Sequence, residues 1–201
     1  MLTALMLIFR PALAWERIEN AQRSVVAILF QFLVPLMLLS AAVEGFGLLK
    51  LGEERRTVDV ARLEKVPPEL AVRYEATQLG LSLIIIVGGA WVLQHISSSF
   101  HRSHNYKECF TTLAYALSPL FLLRMLDGVP QINTWICWAI GVALSVAALY
   151  RGIPRTLRPD PSSALGLYLV ASLVVIMGTG LAHLLAVLVL NGQVLRSGLD
   201  F

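Results

Sequence analysis

The sequence predicts an all-α polytopic membrane protein with five transmembrane helices and an N-terminal interfacial amphipathic helix. Three observations lead to this fold class. Hydrophobic residues form 57% of the 201-residue chain and charged residues 14%, whereas about a quarter of the residues in a soluble domain are charged. The mean hydropathy of +0.71 comes from five apolar runs of roughly 17 or more residues, enough for a helix to cross about 30 Å of hydrocarbon. The residues before the first run are amphipathic.

We expect residues 1–23 to lie in the membrane interface as an amphipathic helix. Trp15 and Ile18 fall on a different face from Arg17 and Arg23. Helices of this kind lie in the plane of the interface, and tryptophan is enriched at headgroup depth. The sequence therefore predicts that Trp15 lies among the headgroups.

The predicted membrane domain covers residues 24–201. Its spans are expected at about 25–43, 79–96, 110–126, 132–150 and 165–190. Pro35 interrupts the first span and predicts a kink there, because proline lacks a backbone N–H. A tight Asp127-Gly128 turn joins the third and fourth spans. These two spans must therefore be antiparallel neighbours.

Between the first two spans, residues 50–78 carry charges of both signs interspersed with valine and leucine. This pattern predicts an amphipathic loop that either lies on the membrane or reaches into solvent. Pro67-Pro68 ends its amphipathic part. Pro68 suits the first turn of a helix that carries Glu69 near its start and continues into the second span.

The positive-inside rule predicts a cytoplasmic amino terminus and a carboxyl terminus outside. Five spans divide the 16 Lys and Arg residues equally between the two sides. The connectors on the amino-terminal side are short, however, and hold their basic residues beside span ends, where the rule applies most strongly. The expected location is the cytoplasmic (inner) membrane of a bacterium.

Several short motifs, taken in order, resemble the Yip1 family of five-span membrane proteins in its short bacterial form. They are Arg10-Pro11-x-x-x-Trp15-Glu16-Arg17-Ile18, Tyr106-Lys107-Glu108, Tyr115-Ala116-Leu117-Ser118-Pro119, Leu149-Tyr150-Arg151-Gly152-Ile153-Pro154 and Ala164-Leu165-Gly166-Leu167-Tyr168. The resemblance implies a five-helix membrane domain with a cytoplasmic amino terminus. Eukaryotic members of the family act with Rab GTPases in vesicle traffic and membrane shaping. Their Asp-Leu-Tyr-Gly-Pro motif is missing here, so we do not carry the Rab contact over.

His183 is the ionisable residue placed deepest in a predicted span. Such a side chain is costly in hydrocarbon and usually faces the bundle interior or a wet cavity. One interpretation is a proton relay or a substrate contact. The other is a neutral imidazole that hydrogen bonds to a neighbouring hydroxyl or carbonyl and serves only helix packing.

Two polar groups in the third span offer similar alternatives. Arg124 and Asp127 lie three residues apart, on one helical face, and either gate a pathway or end the span at the interface. Tyr115 and Ser118 continue a polar stripe from Thr111 up to the Pro119 kink. This stripe either lines a small polar cavity or makes interhelical hydrogen bonds.

The Tyr150-Arg151-Gly152-Ile153-Pro154 segment lies at the exit of the fourth span. We expect Tyr150, Arg151, Gly152 and Pro154 to serve either function or helix packing. Arg151, Arg155 and Arg158 either bind anionic lipid headgroups or orient the spans.

We predict no enzyme, cofactor or metal site. The sequence shows no catalytic triad pattern, no phosphate-binding glycine loop and no paired carboxylates within the spans. His95, His101 and His104 are not spaced to place three imidazoles on one helical face. Cys109 and Cys137 fit ordinary apolar packing.

The function predicted from these observations is non-enzymatic. The chain is expected to act in membrane organisation, as a trafficking-like scaffold, or as a partner subunit. Its expected partners are the lipid bilayer and another membrane protein or a second copy of itself, with no nucleic acid. The alternative is a small transporter or channel that uses the Tyr115/Pro119 stripe and His183.

Overall fold

The computed structural model describes residues 2–57, 60–64, 66–98, 105–129, 131–160 and 162–190. Its elements in chain order are α1 (Leu2–Phe9), α2 (Pro11–Ala21), α3 (Val25–Ile28), a π-helical turn (Leu29–Leu33), α4 (Val34–Lys50), β1 (Glu53–Thr57), β2 (Val60–Glu64), α5 (Pro68–Ser98), α6 (Tyr106–Ala116), α7 (Ser118–Arg124), α8 (Thr134–Thr156) and α9 (Ala164–Leu190). The described part of the chain is therefore almost entirely helical, as predicted.

Four helices in the described residues are long and apolar enough to cross a membrane. They are the continuous helix Val25–Lys50, formed by α3, the π turn and α4, together with α5, α8 and α9. Their outer faces expose large apolar side chains at helical spacing, for example Leu165, Leu169 and Leu173 on α9. Exposed apolar faces of this kind are stable against lipid and unfavourable in water. The structure therefore confirms a multi-pass membrane protein.

The third predicted span, at about 110–126, is not one helix. Two shorter helices, α6 and α7, replace it, and they meet at Leu117. Pro119 lies in the first turn of α7 and lacks the N–H that a continuous helix would need. Most residues of the pair are buried among the other helices. The break lies beside Pro119, where a kink is predicted, and the pair is not among the four helices long enough to span, so a fifth span is not confirmed.

Residues 50–78, predicted as an amphipathic loop, instead contain two strands and the first turns of α5. β1 and β2 form an antiparallel hairpin, in which Glu53 is opposite Glu64 and Thr57 is opposite Val60. α5 then begins at Pro68 with Glu69 in its first turn, as predicted, and it starts well before residue 79.

The amino-terminal segment forms two helices, α1 and α2, that pack against the bundle. Trp15 is 0% exposed, and a Cβ on Gly152 would lie 2.4 Å from its ring. The Trp15 side chain thus lies in the protein core, and its predicted placement among headgroups is wrong. The α2 residues that face the bundle, Ala14, Trp15 and Ile18, follow helical spacing, which is why the segment has an amphipathic pattern.

Pro35 lies in the first turn of α4, directly after the π-helical turn Leu29–Leu33. A wider turn relieves the clash between a proline ring and the preceding carbonyls, so the helix continues past the proline.

The bundle has two polar ends. Arg23, Asn105 and Arg158 lie at one of them, which we call the amino-terminal end. Glu44, Gly128 and the hairpin side of the molecule mark the other, which we call the hairpin end. The α6–α7 pair runs through the interior from the first end to the second.

Candidate functional site: a buried ionic cluster

The strongest polar contacts in the interior join Glu44 of α4, Glu75 of α5 and Arg124 of α7. Arg124 donates from Nε and Nη2 to Oε2 of Glu44, at 2.9 and 2.6 Å. Its Nη2 also donates to Oε2 of Glu75 at 2.8 Å. Arg124 is 5% exposed, Glu44 1% and Glu75 9%. We call these three residues the ionic cluster. It ties three helices together inside the bundle.

Two glycines bring the cluster together. The turn after α7 places Gly128 against α4, where a Cβ on Gly47 would lie 2.3 Å from the Gly128 carbonyl oxygen. Only glycine allows this backbone approach. Glu44 lies just before Gly47 on α4 and Arg124 just before the turn, so the close approach sets their side chains face to face. The predicted Asp127-Gly128 turn thus positions the cluster.

A short hydrogen-bonded chain from α5 supports Glu44. The Tyr74 hydroxyl donates to Oε1 of Glu44 at 2.6 Å. Nε2 of Gln78 donates to the Tyr74 hydroxyl at 3.1 Å. Tyr74 and Gln78 are one helical turn apart, so they reach the same carboxylate from one face. Both Glu44 oxygens therefore accept hydrogen bonds, which offsets part of the cost of burying the charge.

Asp127 is a third carboxylate next to the cluster. It belongs to the turn after α7, where its backbone N–H donates to the Arg124 carbonyl at 2.9 Å. Burial and the nearby Glu44 raise the pKa of Asp127 to about 7, while the Cys137 thiol, Arg124 and the Thr134 hydroxyl act in the opposite direction. Arg124 forms its ion pairs with Glu44 and Glu75.

A cleft of about 360 Å³ leads from the hairpin end toward these acids. Glu44, Tyr74, Asp127, Asn133 and Thr134 line it. Behind Arg124 and Asp127 lies a void of about 20 Å³ that also borders His183. Such a void has room for about one water molecule. The cleft thus has a mixed polar and apolar lining, and it reaches Glu44 of the ionic cluster.

His183 of α9 is 3% exposed, at the far wall of this void. Its Nε2 lies 3.3 Å from the Thr134 hydroxyl. The Trp135 ring meets it edge-on, with centroids 4.6 Å apart, and the Trp138 ring lies parallel, at 6.3 Å. This is the predicted arrangement in which the imidazole bonds to a neighbouring hydroxyl.

A comparison with known families gives a match to the Yip1 domain over residues 5–187. This range covers most of the chain. The chain belongs to the Yip1 family. No curated protein and no solved structure gives a significant match. The Yip1 resemblance found in the motifs is therefore confirmed.

Glu44 and Glu75 are the residues that sequence reasoning missed in this Yip1 domain. The sequence predicts Glu44 just after the end of the first span and Glu75 within the loop over residues 50–78. Both come together at Arg124, so the statement that the spans hold no paired carboxylates is wrong. One signal was available: Tyr74, Glu75 and Gln78 form a polar stripe with helical spacing after Pro68.

The predicted polar stripe of α6 and α7 bonds to its own backbone. The Thr111 hydroxyl donates to the Lys107 carbonyl at 2.6 Å, and the Ser118 hydroxyl donates to the Tyr115 carbonyl at 2.7 Å. The Tyr115 ring packs on Phe32, with centroids 4.3 Å apart. Pro119 is buried in the first turn of α7. Tyr115, Ser118 and Pro119 do not line the cavity at the amino-terminal end, the cleft at the hairpin end or the small void beside His183.

The exit segment of α8 divides between packing and surface. Gly152 accommodates the Trp15 ring, and Pro154 lies exposed within the helix. Tyr150 is 66% exposed, and its ring meets that of Tyr168 edge-on. Arg151 is exposed. These residues lie away from the ionic cluster.

His101 and His104 lie outside the described residues. Within the part of the chain that the structure describes, no group of three or more His, Cys, Asp or Glu side chains is arranged to hold a metal ion.

Proposed function

We propose that this Yip1-family chain is a non-enzymatic membrane-organising protein that acts by holding a membrane-protein partner or a second copy of itself in a bacterial inner membrane. The observation that carries the proposal is the ionic cluster. Its charged groups bond to one another across α4, α5 and α7 instead of facing a passage. A bundle locked in this way is suited to presenting a fixed surface.

The interior between the two ends supports the same role. The amino-terminal cavity and the cleft at the hairpin end share no lining residue. Between them lie closely packed side chains, and Leu33, Leu117 and Phe121 are each no more than 1% exposed. A conduit through the described part of the chain would require this core to separate.

The transporter alternative gains no support from the residues on which it depended. Ser118 and Thr111 direct their hydroxyls to backbone carbonyls, and Tyr115 packs on an aromatic ring. His183 bonds to Thr134 and lies between two indoles. These contacts stabilise helix packing.

Cross-linking in the native membrane tests the proposal. The tagged chain is cross-linked, purified and analysed by mass spectrometry, with an unrelated tagged multi-pass protein of similar abundance as the control. We expect one stoichiometric partner, or a cross-linked dimer of the chain, that the control does not recover.

A parallel assay measures solute flux in proteoliposomes with wild type, His183→Ala and Tyr115→Phe. The organising role predicts no flux that depends on either side chain. The proposal would be overturned by recovery of the uncross-linked chain alone, or by a flux that His183→Ala abolishes while the variant remains folded.

A further inference from the structure

A second cavity, of about 530 Å³, lies at the amino-terminal end of the bundle. Its walls come from the end of α2, the start of α6 and the end of α8, which the fold brings together from distant parts of the chain. Its size falls in the usual range of small-ligand sites, about 300–1,000 Å³. It lies at the opposite end of the bundle from the ionic cluster, and the proposed function does not depend on it.

The charged side chains of this cavity are mainly basic. Four of them, Arg23, Lys107, Arg155 and Arg158, are positive, and two, Glu19 and Glu108, are negative. The basic groups come from three separate elements, so the cavity is surrounded by positive charge and not merely bordered by one basic helix. An excess of two positive charges in one concave site favours an anionic ligand.

Both acids are held by contacts within the protein. Glu19 forms an ion pair with Arg158. Oε2 of Glu108 accepts a hydrogen bond from the Asn105 backbone N–H at 3.3 Å, as part of the cap of α6. Glu19 balances Arg158, and Glu108 is directed to the start of α6, so Arg23, Lys107 and Arg155 still exceed the remaining acid by two charges.

The basic side chains are themselves positioned across the cavity. Lys107 reaches from α6 to donate from Nζ to the Gln22 carbonyl at 3.1 Å. Arg23, just after α2, lies close enough to Tyr115 to act on its hydroxyl electrostatically. Arg155 lies in the last turn of α8 and is only partly exposed. Guanidinium and ammonium groups held in such positions lose little entropy when an anion binds.

We propose that this cavity binds a phosphate group, carried either by the headgroup of an anionic lipid or by a soluble phosphate ester. Arginine guanidinium groups donate bidentate hydrogen bonds to phosphate oxygens, and lysine adds a point charge. The sequence pattern groups Arg151 with Arg155, but the structure gives them different positions. Arg155 lines the cavity, whereas Arg151, one turn earlier on the same helix, lies exposed outside it.

The experiment measures the thermal stability of the purified full-length protein in a neutral detergent as ligand is added. Short-chain phosphatidylglycerol, short-chain phosphatidylcholine and glycerol 1-phosphate are titrated separately. Wild type is compared with the double variant Lys107→Gln/Arg155→Gln, and with Arg151→Gln as a control that removes an arginine charge outside the cavity.

We expect phosphatidylglycerol, or glycerol 1-phosphate, to raise the melting temperature more than phosphatidylcholine. The double variant should need at least about tenfold more ligand for the same effect, since each lost charge-assisted hydrogen bond is worth about 1.5–3 kcal/mol. Arg151→Gln should behave like wild type. A response to phosphatidylglycerol without one to glycerol 1-phosphate identifies a lipid as the source, and a response to both identifies the phosphate group as sufficient.

Two results would overturn the proposal: equal responses to phosphatidylglycerol and phosphatidylcholine, with none to glycerol 1-phosphate, or an equal loss in Arg151→Gln and the double variant. If the double variant does not fold, Arg23→Gln and the salt dependence of wild-type binding replace it. If the ligand binds in this cavity, its affinity should be weaker for Arg23→Gln than for wild type, and its affinity for wild type should fall steeply as salt is added. An affinity that is unchanged both by Arg23→Gln and by salt contradicts the proposal.

Discussion

At the scale of single residues, Arg124 has the greatest consequence. Its guanidinium group forms ion pairs with two buried carboxylates, those of Glu44 and Glu75. Both glutamates lie in helices long enough to span the membrane. A buried ion pair contributes little net stability compared with apolar residues, but removing one partner leaves the other charge uncompensated. The consequence of substitution therefore depends on which member of the cluster is changed.

Arg124→Ala should destabilise the protein by about 3–5 kcal/mol, because two buried carboxylates lose their counter-charge. The matched control is Arg73→Ala, which breaks an exposed pair with Glu69 whose side chains are 48% and 76% exposed. Exposed pairs contribute about 0–1 kcal/mol. Unfolding in detergent, followed by circular dichroism, measures both. Equal losses in the two variants would show that the cluster has no special role.

Asp127→Asn should stabilise the protein at pH 8 and have a smaller effect at pH 5. The folded-state pKa of Asp127 is raised to about 7, above the unfolded value of about 4. The folded state therefore holds the proton more tightly than the unfolded state, so the stability contributed by the protonated carboxyl is fully present below about pH 4 and is lost progressively as pH rises to about 7. We expect a gain of about 1–2 kcal/mol at pH 8, after discounting for partial exposure.

Melting temperatures of wild type and Asp127→Asn at the two pH values measure this difference. The comparison reports the removal of the Asp127 charge together with its electrostatic effect on the neighbouring Glu75. The same advantage for the variant at pH 5 and pH 8 would contradict the assignment.

At the scale of elements, the sequence predicted what depends on apolar length. Four of the five predicted spans correspond to long helices, because a run of apolar residues has few other solutions in lipid. Pro119 predicts the kink between α6 and α7, but not that both helices are buried, since burial on all sides depends on neighbours distant in the chain. The sequence also did not predict that Glu44 and Glu75 would meet, because that contact requires the Gly47–Gly128 approach between elements.

Gly47→Ala tests that approach. The new methyl group would lie 2.3 Å from the Gly128 carbonyl oxygen, so α4 and the turn must separate. We expect a loss of about 1–3 kcal/mol or more, as for other overpacked sites. Gly88→Ala on α5 is the control, because nothing lies within 4 Å of its new methyl group. It should be neutral or slightly stabilising, since alanine favours helices over glycine by about 1 kcal/mol. If Gly47→Ala is as stable as Gly88→Ala, the close approach is not required.

At the scale of the whole molecule, the fold places two different polar ends on opposite sides of one apolar bundle. The amino-terminal end holds the basic cavity, and the hairpin end holds the acidic cleft. The charge distribution of the sequence favours the amino-terminal end in the cytoplasm. We therefore predict that the amino-terminal end faces the cytoplasm and that the hairpin end faces the opposite side of the membrane.

Site-directed labelling checks this orientation. Gln22 and Gln131 are exposed at the two ends, whereas Cys109 and Cys137 are buried and free. In intact cells, an impermeant maleimide should label Gln131→Cys but not Gln22→Cys. Permeabilised cells should show labelling of both. Labelling of Gln22→Cys alone in intact cells would reverse the orientation.

The central claim is that the ionic cluster locks the bundle and that the bundle acts by holding a partner. The most direct measurement is the amount of cross-linked partner recovered per folded copy of the triple variant Glu44→Gln/Arg124→Met/Glu75→Gln. Because all three charges are removed together, no buried ion is left unpaired, and we expect the variant to fold. The account predicts that the folded variant recovers clearly less partner than wild type, because its helices are no longer locked in the arrangement that presents the partner surface. A variant that folds as well as wild type and recovers as much partner would contradict the claim, because the cluster would then not be needed to hold that surface.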